Sequence, residues 1–74
     1  MDYVIVIHEA EEGEFWAEFP MLPGCYTQGE TVEEVLRRAP DAVASHLDAL
    51  QEYGQDLPRD ERIIITTVHM PAVA

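Results

Sequence analysis

Three histidines, a single cysteine and fifteen acidic residues are the side chains of this 74-residue chain that could bind a metal, attack an electrophile or move a proton. A metal site built on short-range ligands needs pairs such as HxxxH, which place two imidazoles on one face of a helix. His8, His46 and His69 form no such pair and are expected as solvated or hydrogen-bonded imidazoles. Cys25 would need a base or a cationic neighbour to become a nucleophile; the sequence around it supplies neither, so a small buried residue is expected. Two-metal nucleases need carboxylates converging on one cleft. Here the carboxylates gather between Glu9 and Glu14 and around Glu30, Glu33 and Glu34, where solvation and helix capping account for them. Ser45 and Thr27 have no base at a telling spacing, and Gly24 and Gly29 make no phosphate-binding pattern. The reading is therefore of a chain with no catalytic residues, no metal and no cofactor.

Charge narrows the partner. Four arginines and no lysine oppose the fifteen acids, for a formal net charge of −11. A field of that sign repels phosphate backbones, and no segregated basic patch offsets it, so direct nucleic-acid binding is not expected. A basic protein partner suits the charge, and so does simple solubility. The apolar run at Tyr3–Ile7 is far short of the roughly 20 residues of a membrane span and has no basic residues before it, so neither a membrane partner nor a targeting signal is expected. A lone cysteine without a secretory signal fits a reducing cytoplasm.

The elements that must position these side chains follow from periodicity. Tyr3 to His8 is apolar on both alternating faces, as a central strand covered on both sides would be. After the turn Glu11-Glu12-Gly13, Glu14 to Phe19 alternates, sending Phe15, Ala17 and Phe19 inward and Glu14, Trp16 and Glu18 outward. Pro23-Gly24 fits the central pair of a type II turn, and Cys25 to Gln28 makes a third strand ended by Gly29. Thr31 and Glu34 form a capping box opening a helix whose apolar stripe is Val32, Val35, Leu36, Ala39, Val43, Leu47 and Leu50, closed by Gly54. Pro40 either kinks that helix or divides it in two, with Pro40 opening the second half. Leu57-Pro58 and the charged connector Arg59–Arg62 lead to a fourth strand at Ile63–His69, and Met70 to Ala74 is expected to fray or to pack on a neighbour.

The result is a single α+β domain over residues 1–74 in the order β-β-β-α-β, an antiparallel three-stranded meander plus a fourth strand, with one helix on one face. One helix covers one face only, yet Val4, Val6, Trp16, Ile64 and Val68 also need cover. Domains this small are marginal without a staple, and one cysteine cannot form an internal disulfide. Self-association, as a homodimer or homotetramer, is the expected solution.

The residues Tyr3-Val4-Ile5-Val6-Ile7, Gly13, Phe15-Trp16-Ala17-Glu18-Phe19-Pro20, Leu22-Pro23-Gly24-Cys25, Thr27-Gln28-Gly29-Glu30-Thr31, Glu33-Glu34 and Ala39 resemble the N-terminal domain of HicB-type antitoxins. The similarity runs on through Leu50, Gly54 and Pro58, and the FPxLPGCxTQGxTxEE pattern from Phe19 to Glu34 is its most specific part. The resemblance implies a partial ribonuclease-H-like fold that lacks the nuclease's active site. An active enzyme of that type would need a carboxylate pointing inward from the first strand, and Tyr3 to Ile7 contains none.

The resemblance implies that, in complete members, this domain is the part that holds the HicA toxin, a small basic RNA-cleaving protein, while a C-terminal domain binds operator DNA. This sequence departs from that pattern in stopping after the fourth strand, so no DNA-binding domain is expected here. Arg37-Arg38-Ala39-Pro40 also replaces the family's usual asparagine-containing stretch. The implied function is neutralisation of a HicA-like toxin in a toxin-antitoxin system; the alternative is a stand-alone homo-oligomeric module with no toxin. If a toxin is held, Trp16 is the expected aromatic anchor, with Glu12, Glu14 and Glu18 as charge partners. A contact between copies of the chain is the competing role for Trp16.

Overall fold

The computed structural model describes residues 2–57 and 63–72. Three strands, β1 (Val6–Glu9), β2 (Phe15–Glu18) and β3 (Tyr26–Gly29), precede one helix, α1 (Val32–Glu52). The strands form an antiparallel sheet in the order β1-β2-β3. Val6 pairs with Glu18 and His8 with Trp16; across the next ladder Trp16 pairs with Gln28 and Glu18 with Tyr26. The α+β class and the meander followed by a helix are as the periodicity predicts.

Local chemistry sets each reversal. The β1–β2 turn closes through Ala10 N–H to the Glu14 carbonyl at 2.7 Å and Gly13 N–H to the Ala10 carbonyl at 2.9 Å. At the second reversal Cys25 N–H donates to the Leu22 carbonyl at 3.0 Å, and Gly24 takes φ +88°, which completes the type II turn over Pro23-Gly24. Thr31 caps α1 by accepting from the Glu34 N–H at 3.0 Å. The Glu34 carboxylate pairs with Arg38 one turn on, at 2.9 Å. At the other end Gly54 N–H reaches the Gln51 carbonyl at 3.1 Å and Gln55 N–H the Leu50 carbonyl at 2.8 Å, the two bonds of a Schellman motif.

The core lies between the sheet and α1. Phe19, Leu22 and Cys25 are buried together, with Tyr3, Ile5, Ala39, Ala42, Val43 and Leu47 packed around them. Ala17 and Val35 are fully buried nearby. Gly29 lets the helix approach: a Cβ there would lie 3.0 Å from the Glu34 Cβ and 3.1 Å from the Val35 backbone nitrogen.

One alternative is settled and three expectations change. The helix runs unbroken through Pro40, which excludes two separate helices; Leu36 and Pro40 are both exposed, so water can satisfy the carbonyl that proline leaves without a donor. The inward stripe is narrower than the sequence predicts. Docking through Val35 against Gly29 turns Val32 and Leu36 outward, and Ala42 takes a place on the inner face. The first strand is paired only from Val6 and forms the sheet's edge rather than its centre. Continuing the register would set Val4 opposite Pro20, which has no N–H to give.

Most consequentially, Ile63–His69 forms no strand within the single chain. Ile64, Ile65, Val68 and Met70 stand 70%, 62%, 79% and 72% exposed. A strand exists only by its neighbour, and no described strand lies beside this segment. The connector Arg59–Arg62, Pro58 and the last two residues lie outside the described residues.

Candidate functional site

Side chains alternate across a strand, so the pairing register decides which residues share the face turned away from α1. That outer face carries Val6 and His8 from β1, Trp16 and Glu18 from β2, and Tyr26 and Gln28 from β3. The inner face receives Ala17, fully buried, and Phe15, half-buried.

On the outer face the rings form a continuous group. His8 stacks on Trp16 with centroids 4.2 Å apart and planes 17° from parallel, and Tyr26 tilts against the other side of the indole at 6.3 Å and 56°. Nε2 of His8 meets the Glu18 carboxylate at 2.8 Å, which fixes the imidazole over the indole. Trp16 and Tyr26 remain 38% and 62% exposed, so this aromatic surface is held in place yet still open to a partner.

The predicted contact residues are only partly brought together. Trp16 and Glu18 share the outer face. Glu14 lines an open concavity of about 470 Å³ with Gln28, Glu30, Glu34 and Arg38. Arg38 is engaged there, donating to the Gln28 carbonyl at 3.1 Å and pairing with Glu34. Glu12 sits in the β1–β2 turn, exposed and outside the strand alternation. The concavity is thus acidic, next to an aromatic face that also ends in a carboxylate. His8 and Tyr26 are members of the face that sequence reasoning missed. Counting positions across both turns would have placed them opposite Trp16 and Glu18.

Cys25 is buried, and its thiol contacts the Ala42 carbonyl at 3.5 Å. Burial pushes its pKa up, the opposite of what a nucleophile needs. His46 does reach a concavity shared with Cys25 and Ser45, but the thiol's hydrogen bond goes to the Ala42 carbonyl. Alkylation of native Cys25 by iodoacetamide near neutral pH should therefore run at least about tenfold slower than in the denatured chain. Equal rates by mass spectrometry would contradict the buried, protonated thiol. Among the described residues no group of three or more histidine, cysteine or acidic side chains is placed to hold a metal ion. No helix among them is long and apolar enough to cross a membrane.

Comparison with known proteins agrees with this architecture. A UPF0150 protein of Thermoplasma acidophilum is 35% identical over 66 residues, which is 89% of this chain and 96% of that protein. A UPF0150 protein of a Synechocystis strain is 45% identical over 58 residues, covering 78% of this chain and 80% of its own. Antitoxin HicB 1 of Photorhabdus laumondii is 34% identical over 58 residues, but this chain spans only 37% of its length. The crystal structure of the N-terminal domain of Burkholderia pseudomallei antitoxin HicB matches with a TM-score of 0.71 at 24% identity, over 85% of this chain and 74% of that one, which establishes the fold. The family model described as HicB_like antitoxin of bacterial toxin-antitoxin system matches residues 3–72, nearly the whole sequence, and on that match the chain belongs to the HicB-like antitoxin family.

Proposed function

We propose that this chain is a non-catalytic, cytoplasmic homo-oligomer whose outer sheet face holds a small basic toxin of the HicA type and so keeps it inactive. The observation that carries the reading is the aromatic group His8–Trp16–Tyr26, fixed by Glu18 and bordered by the acidic concavity at Glu14, Glu30 and Glu34. Exposed indole and phenol rings are enriched where proteins meet, because they bury large areas at little cost in side-chain entropy. The acids around them would draw in a cationic partner and orient it before contact. With a net charge of −11, the chain would repel nucleic acid, so the toxin's RNA substrate would not compete for the same surface. Membership of an antitoxin family supports a toxin as the partner's kind.

Co-expression with a HicA-type toxin, followed by purification at low and high salt, tests this. A stoichiometric complex is expected, with affinity falling at least about tenfold between roughly 0.1 and 0.5 M salt as the charges are screened. Absence of a complex at low salt, with self-association retained, would favour the second reading, a stand-alone homo-oligomeric module without a toxin. The feature that favours that second reading is the exposed apolar segment 63–70, which asks for a partner surface whether or not a toxin exists.

A further inference from the structure

We infer that the outer sheet face takes an arginine side chain of its partner, seating the guanidinium against Trp16 and Tyr26 with the Glu18 carboxylate as its counter-ion. The inference rests on the basic partner of the reading above and names the group by which that partner is held.

The register places the parts. Glu18 stands directly across the ladder from Tyr26, and Trp16 is the neighbouring residue of β2 on the same face. Strand order sets β1 and β3 on opposite sides of β2, so His8 and Tyr26 approach the indole from opposite sides. His8 closes its side, lying 4.2 Å from the indole and 17° from parallel. Tyr26 does not close the other. At 6.3 Å and 56° it makes a tilted contact in which neither ring covers the face of its neighbour, and both rings stay open to solvent.

The carboxylate is half engaged. A carboxylate only accepts, so Nε2–H of His8 donates to Oε2 of Glu18 at 2.8 Å and holds the group at the border of the rings. Among the described residues nothing engages Oε1, and the side chain of Glu18 is 41% exposed. His8 thus acts as a positioning residue for both the indole and the carboxylate.

Open ring faces beside a free carboxylate oxygen ask for a group that is flat, cationic and rich in N–H donors. A guanidinium is all three: it stacks on aromatic faces while its N–H groups reach a carboxylate. An ammonium supplies the charge, but it is compact and more strongly hydrated, so it gives up more water contact on meeting the rings. An apolar side chain would cover the rings and leave Oε1 buried without a donor. An anion would meet Glu18 and the field of a chain of net charge −11. The chain's own Arg38 is held elsewhere, by Glu34 and the Gln28 carbonyl.

NMR titration of the full chain with N-acetyl-arginine methylamide, and with its lysine and citrulline counterparts, tests the site. Trp16 is the one tryptophan, so its indole N–H signal reports the site directly. That signal, with the Tyr26 and Glu18 amides, should shift to saturation with the arginine probe. The dissociation constant should be at least about threefold higher for lysine and at least about tenfold higher for citrulline, which keeps the flat shape and loses the charge. Glu18→Gln should weaken the arginine probe at least about threefold, whereas Asp48→Asn, which removes the same charge from the exposed side of α1, should change it by less than about 1.5-fold. Equal affinity for the three probes, equal effects of the two substitutions, or shifts that bypass Trp16 would overturn the inference. A toxin complex that forms while the arginine probe leaves Trp16 unmoved would overturn this inference alone. Saturable arginine binding at Trp16 with no toxin complex at low salt would uphold the site and overturn the toxin reading.

Discussion

Leu22→Ala should bring this domain close to unfolding. Leu22 is 1% exposed and sits at the centre of the core, between Phe19 and Cys25 and under α1. Leucine-to-alanine changes at such sites cost about 2–5 kcal/mol, because the cavity left behind adds to the lost transfer free energy. At roughly 0.05–0.15 kcal/mol per residue, a chain of this length has only about 4–11 kcal/mol of stability to lose. Leu22 also fixes the reversal before β3: its N–H donates to the Phe19 carbonyl at 2.8 Å and its carbonyl accepts from Cys25. Packing lost here therefore loosens the register that sets Tyr26 beside Trp16. Urea unfolding followed by circular dichroism should show the midpoint fall by a third or more of its value, roughly the ratio of those two energies. Leu36→Ala is the comparison: as apolar in sequence but half exposed on the outer side of α1, it should change stability by under about 1 kcal/mol. Equal losses at the two positions would mean that the core is not where the fold places it.

That contrast between Leu22 and Leu36 shows what the sequence can and cannot disclose. Features closed by bonds within a few residues were legible: the Pro23-Gly24 turn, the Thr31 cap, the Gly54 termination and the alternation that turns Trp16 outward. Each is decided by local geometry and by the chemistry of one or two side chains. Leu36 was misplaced because a stripe spaced by three and four residues is wider than the strip a small sheet can cover, and only the approach at Gly29 decides which part docks. The fourth strand and the central place of the first were misread for a deeper reason. A run of β-branched residues records a fit to the pleated, half-buried surface of a sheet; it does not record where in the sheet the run lies or whether it is paired at all. The aromatic face was half legible. Trp16 was found from its exposed position, but its stacking partner His8 lies eight residues away and Tyr26 ten, and only the ladder registers unite the three.

Trp16→Ala should cost a toxin complex about 2–4 kcal/mol, a rise in Kd of roughly 30- to 1,000-fold, while leaving the isolated domain folded. The indole is already stacked on His8 and flanked by Tyr26, so it brings a large apolar surface to a partner with little further loss of side-chain freedom. Being 38% exposed on the face opposite α1, it contributes less to the core than Leu22 does. Its removal from the free domain should cost about 0.5–1.5 kcal/mol, the worth of the ring contacts. The kinetics separate anchor from charge. Loss of the indole should act on dissociation, whereas Glu14→Gln, which removes one carboxylate from the acidic concavity, should slow association and flatten its salt dependence. Surface plasmon resonance of both variants against an immobilised HicA-type toxin, with sedimentation of each variant alone, reads all of these effects. An anchor role for Trp16 in toxin binding fails if Trp16→Ala binds within about threefold of the unaltered chain. It fails equally if the substitution dissociates the homo-oligomer while toxin affinity persists, since the indole would then serve contact between copies.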